Sequence, residues 1–170
     1  MLLSLDTAII PSKGLENLHV GDRSLKLRDW VVQHPDDWSI TLMDPLQQGV
    51  PDFIDYTYKE SIRIRVNAYL GRIASIYCYG NFRGTFAGEY GIGTLVSELL
   101  DNEELLLAFD EHLISVYGKA LLLTVDNDQD IIDDWEEVEY NSIESILIEH
   151  DNYARISYDT QQLLHLWSGS

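Results

Sequence analysis

Asp126, Asp128 and Asp130 stand at alternate positions, with Glu137 twelfth in the same count. Alternate carboxylates of this kind converge on one hard cation in a calcium loop of the EF-hand type. Such a loop needs glycine at its sixth position, where this chain has Ile131, and a helix before it, where residues 121–125 are strand-like. The calcium reading fails on the turn. A wider run is more informative. Residues 126–139 hold eight carboxylates, Asp126, Asp128, Asp130, Asp133, Asp134, Glu136, Glu137 and Glu139, with no Lys or Arg among them. Trp135 sits inside the run, beside Ile131, Ile132 and Val138. Acid density alone marks a solvated loop. An aromatic anchor ringed by charge is the composition of a binding hot spot for a basic surface. The expected partner-binding residues are these eight acids and Trp135, with the plain solvated loop as the alternative.

Nothing else in the chain carries chemistry as well. Gly91-Ile92-Gly93 offers two glycines of a dinucleotide fingerprint and lacks the third. His19, His34, His112, His150 and His165 show no metal-ligand spacing, and Glu149-His150-Asp151 falls at an expected strand end. Cys78 lies in an apolar strand, where it packs. Tyr56, Tyr58, Tyr69, Tyr77, Tyr79 and Tyr90 cluster with Arg63, Arg65, Arg72 and Arg83 in the middle of the chain. The tyrosines suit a sheet face or a recognition surface, and the arginines are expected to pair with the acidic half. The expectation is a protein that is not an enzyme, with no catalytic residue, no metal and no cofactor.

The charge distribution agrees. Of 170 residues, 11 are Lys or Arg and 29 are Asp or Glu, a net charge of −18. Residues 1–86 carry 9 bases and 10 acids, whereas residues 87–170 carry 19 acids and only Lys119 and Arg155. A surface of that sign repels nucleic acid and anionic membranes and attracts cationic partners. One cysteine excludes an internal disulfide, and the N-terminus shows neither signal peptide nor membrane span. A cytoplasmic location is expected.

The elements that must position these residues read as α+β. A short helix is expected through Leu27, Trp30 and Val31, capped by Asp22 or Ser24 and ended by Pro35. Residues 53–58, 61–66 and 73–79 have strand composition, and Ile62, Ile64 and Val66 alternate with Ser61, Arg63 and Arg65. A second helix is expected through Val96 and Leu99, capped by Thr94. Strands follow at 105–109, 113–117, 120–125, 142–149 and 153–158, and Thr160 opens a terminal helix. The fold class is a largely antiparallel β-sheet with two or three short helices in a single domain, 1–170. The halves 1–86 and 87–170 share an outline, which a tandem duplication of a helix–sheet unit or chance would produce.

The run Pro11-Ser12-Lys13-Gly14-Leu15-Glu16-Asn17-Leu18-His19-Val20-Gly21-Asp22 resembles the opening of bacterial immunity proteins that neutralise polymorphic toxins, including those of contact-dependent growth inhibition. The segment from Gly91 to Leu100 resembles their second glycine-led helix, and the acidic run before Ile143 is similar in style. The resemblance implies a cytoplasmic inhibitor that blocks the active site of a cognate toxin domain, often a basic nuclease. It transfers no contact residues, because such families share none. The alternatives are an acidic interaction or scaffold module without a toxin, and a metal-dependent enzyme using Asp126 to Asp130.

Overall fold

The computed structural model describes residues 3–44, 49, 51–102, 105, 107–110, 113–116, 121–125 and 139–149. Three two-residue strands come first: β1 (Ile9–Ile10), β2 (Gly14–Leu15) and β3 (Leu18–His19). Helix α1 (Leu25–Gln33) follows, then a 3-10 turn (Pro35–Asp37) and a meander of β4 (Trp38–Met43), β5 (Phe53–Tyr58), β6 (Ile62–Asn67) and β7 (Arg72–Tyr79). The chain then runs through the same order again. A small hairpin, β8 (Thr85–Phe86) and β9 (Tyr90–Gly91), leads into α2 (Val96–Leu100). A second meander follows: β10 (Leu107–Asp110), β11 (Leu113–Val116), β12 (Leu121–Val125) and β13 (Ile143–Glu149).

The two meanders make one sheet of 8 strands in the order β10-β11-β12-β13-β7-β6-β5-β4. Every pairing in it is antiparallel. The fold is therefore α+β and mostly antiparallel sheet, as expected. The last strands of the two halves, β7 and β13, meet at its centre, with Tyr77 opposite Leu147.

The halves match residue by residue in their hydrogen bonding. The Gly21 N–H donates to the Ile73 carbonyl at 2.8 Å, and the Gly93 N–H donates to the Ile143 carbonyl at 2.8 Å. Ile73 donates back to Asp22, and Ile143 to Thr94. Isolated bridges join Arg23 to Arg72 and Leu95 to Ser142. The register of β6 on β7 slips between Arg65 and Val66, and that of β12 on β13 slips between Thr124 and Val125. This lock ties each small hairpin and helix to the last strand of its own meander.

Period-2 patterning decides which side chains face the core. Ile62, Ile64, Val66, Ile76, Cys78, Leu121, Leu123, Ile146 and Ile148 all turn to one face and are buried. Leu27 joins α1 to this core, and Val96 and Leu99 join α2. Each such leucine is worth about 1.5–3 kcal/mol of burial, more than either short helix gains alone. Trp30 of α1 stacks on Trp38, which in turn packs on Tyr58 at 4.9 Å between centroids.

Ser24 takes the N-cap position of α1 expected of Asp22 or Ser24, without a side-chain bond, whereas the expected Thr94 cap of α2 is corrected: Leu95 occupies that position. The Asp22 carboxylate instead accepts from the His19 N–H at 3.2 Å, and the Thr94 hydroxyl from the Gly91 N–H at 2.9 Å. In both halves the polar side chain braces the turn before the helix. The expected strand at 153–158 and the terminal helix lie outside the described residues.

Candidate functional site

Of the expected partner-binding residues, Asp126, Asp128, Asp130, Asp133, Asp134, Trp135, Glu136 and Glu137 lie outside the described residues. Glu139 is described. Its carbonyl accepts from the Ser97 N–H at 2.8 Å, and the neighbouring Asn141 carbonyl accepts from the Val96 N–H at 2.9 Å. The acidic run thus leaves the sheet at Val125 and returns against the first turn of α2. Tyr140, 77% exposed, stands beside it, and the neighbouring Glu139 carboxylate raises the tyrosine's pKa. Sequence reasoning passed over Tyr140, although an aromatic next to an acidic run was the available signal.

The length of this connection is its telling feature. Residues 67–72 join Val66 to Ile73 in the first half, and the matching pair in the second half, Val125 and Ile143, is joined by residues 126–142. The same hydrogen bonds close both: Ser24 N–H to the Gly71 carbonyl, and Val96 N–H to that of Asn141. The fold needs six residues here. The second half has seventeen, and the eight carboxylates and Trp135 fall among them.

A second constellation lies on the sheet face opposite the core. Arg65 holds Asp55 through two bonds at 2.9 and 2.8 Å, and Asp55 is 5% exposed. Arg63 lies over the rings of Tyr77 and Tyr79, 5.4 and 5.6 Å from their centroids. Such stacking holds a guanidinium flat while leaving its N–H fork available. Glu149, half-buried on the same face, has its pKa raised by burial, an effect that Arg65 opposes. The matching positions in the second half are Leu122 for Arg63 and Thr124 for Arg65, where the Thr124 and Ser145 hydroxyls bond each other. The arginines were expected to pair with the acidic half. Among the described residues Arg65 pairs with Asp55, its register partner on β5, and Arg83 pairs with Asp6 at 2.9 Å, while Glu149 of the acidic half also attracts Arg65; any pairing with residues 126–138 lies outside the described residues.

The chain is similar in fold to "Crystal structure of the uncharacterized protein yfeY from Escherichia coli", with a TM-score of 0.53 over 84% of this chain and 99% of that one. Identity is 10%, so the likeness is one of fold alone. No protein family and no curated protein matches the chain.

Among the described residues, no group of three or more His, Cys, Asp or Glu could hold a metal ion. Cys78 is buried and its thiol pKa is raised strongly by desolvation. No helix among the described residues is long and apolar enough to cross a membrane.

Proposed function

We propose that this chain is a cytoplasmic immunity protein that binds and neutralises a cognate bacterial toxin domain, a basic nuclease being the best electrostatic fit. The observation that carries this reading is the acidic connection. A fold that closes the β6–β7 pair with residues 67–72 inserts extra chain at the matching place between β12 and β13. Asp126, Asp128, Asp130, Asp133, Asp134, Glu136, Glu137 and Glu139 around Trp135 give the insertion one sign of charge and one large aromatic anchor. Charge of that kind speeds encounter with a cationic partner, and a desolvated tryptophan slows release. The residues that follow the segment are held against α2, where the Glu139 and Asn141 carbonyls accept from the Ser97 and Val96 N–H groups.

The test is co-purification of the full chain with the protein encoded immediately upstream, looking for a one-to-one complex that persists in ~0.5 M salt, where long-range attraction is screened. The diagnostic variant replaces residues 126–142 with the six-residue sequence of 67–72. The expected result is an unchanged circular dichroism spectrum and loss of the complex. Retained binding in that graft removes the acidic segment from the account. No complex, together with a harmless neighbour, removes the immunity reading. Stoichiometric divalent-cation binding that is lost in Asp126→Asn would favour a metal-dependent enzyme instead.

A further inference from the structure

We propose that strand β4 is a second docking edge, on the first half, and that it takes an extended strand from another protein carrying Lys or Arg at both ends. Three observations converge on it. First, β4 ends the sheet order, so its outer backbone N–H and C=O groups have no strand partner among the described residues. It is six residues long, pairs regularly with β5 along its whole length, and contains no Pro, Lys or bulge. Sheet edges are normally blunted by such devices, because a flat exposed edge recruits strands.

Second, the edge is apolar where a docked strand would pack. Ile40 and Leu42 sit on the core face of the sheet, opposite Tyr56 and Ile54 of β5, yet are 51% and 63% exposed. Every other strand of the first meander hides its core-face residues better than this one does. A strand added outside β4 would cover Ile40 and Leu42 with its own alternate side chains.

Third, charge selects the occupant. Asp36 and Asp37 precede the strand and Asp44 follows it. A cleft at its N-terminal end is lined by Asp36, Asp37 and Glu60 against one cation, Lys59, which already pairs with Asp37 at 3.7 Å. A second copy of this chain, added antiparallel, would set Asp36 and Asp37 against the copy's Asp44, between two bodies of −18 each. Like charges so opposed are destabilising. A strand with basic ends meets acid at both. This proposal stands apart from the immunity reading, since it rests on the first half and on β4 alone.

The test uses the full chain and labelled peptides in fluorescence anisotropy at low salt. The first peptide alternates valine and threonine between paired lysines, the second has glutamates in place of the lysines, and the third keeps the lysines around a glycine–serine centre. The first should bind at least about tenfold more tightly than either other, a difference of one decade in Kd. Ile40→Lys combined with Leu42→Lys should abolish that preference while leaving the melting temperature unchanged, because both sites are exposed. Equal binding by the glycine–serine peptide would reduce the effect to bulk charge and overturn the proposal. Unchanged binding in the double variant would do the same. So would a dimer of the unaltered chain that the double variant dissolves, because the edge would then belong to a second copy.

Discussion

The two halves of this molecule share a scaffold and differ in what hangs from it. Val66 and Ile73 in one half, and Val125 and Ile143 in the other, occupy the same place in the lock between hairpin, helix and last strand. The first half spends six residues between them and the second seventeen, with the acids inside. On the sheet face away from the core the contrast reverses. There the first half holds Arg63, Arg65, Asp55, Tyr77 and Tyr79, and in the second half Leu122, Thr124, Leu147 and Glu149 stand at the positions matching Arg63, Arg65, Tyr77 and Tyr79. Backbone hydrogen bonds and core volume constrain a repeated unit. Surface connections and the outer sheet face carry fewer such constraints, so function is to be sought where the two halves disagree.

The largest effect should come from the core, where the halves agree. Ile76 and Ile146 are matched and both fully buried, so Ile76→Ala and Ile146→Ala should each cost about 2–5 kcal/mol in urea unfolding. Costs differing by more than ~2 kcal/mol would break the equivalence, since the cavity term depends on how each site collapses. Next comes the face where they disagree. Arg65→Ala strands the buried Asp55 carboxylate and should cost about 2 kcal/mol, reduced from the fully buried case because the Arg65 side chain is 37% exposed. Thr124→Ala removes only a neutral hydroxyl partner of Ser145 and should cost about 1 kcal/mol. Equal losses would mean that the outer faces are energetically alike.

Gly21 and Gly93 have φ of 88° and 89° at matched positions in the lock. Gly21→Ala and Gly93→Ala should each cost about 1–2 kcal/mol of left-handed strain. A cost at one site only would show that the second lock can relax. The smallest effect concerns Glu149, which corresponds to Tyr79 of the first half. Burial raises its pKa, so folding favours the protonated form. Its contribution to stability is complete below the unfolded pKa of about 4.3 and is lost as pH rises through the higher folded value. Glu149→Gln should therefore leave stability at pH ~4 unchanged and raise it at pH ~7 by less than about 1 kcal/mol after screening. A loss at pH ~7 would show that attraction to Arg65 outweighs burial.

Much of the fold was legible beforehand. Ile62, Ile64 and Val66 alternate with polar residues, and Leu27 and Trp30 recur at helical spacing, because one-sided burial imprints its period on the sequence. β4 was not legible. Trp38, Ile40 and Leu42 do alternate with Ser39 and Thr41, but a run of six residues directly after Pro35-Asp36-Asp37 offers only two full periods, and its place at the sheet edge comes from long-range pairing. The Thr94 cap was misread for another reason: Asp22 and Thr94 have the right chemistry, and the turn before each helix takes their oxygens first. Of the candidate site, the acids and Trp135 were visible as composition. The insertion that sets them apart was not, because recognising it requires knowing that Val66 and Val125 are matched.

The sequence by itself determined the charge of each half, the core-facing residues of the main strands and the reading of Cys78 as a packing residue. These follow from ionisation and from local burial period, and neither depends on distant partners. Tertiary structure decided that β7 and β13 meet at the centre of one sheet, that Arg65 takes Asp55, and that β4 ends the strand order among the described residues. Those outcomes depend on strand order and register, which arise from contacts between residues far apart in the chain.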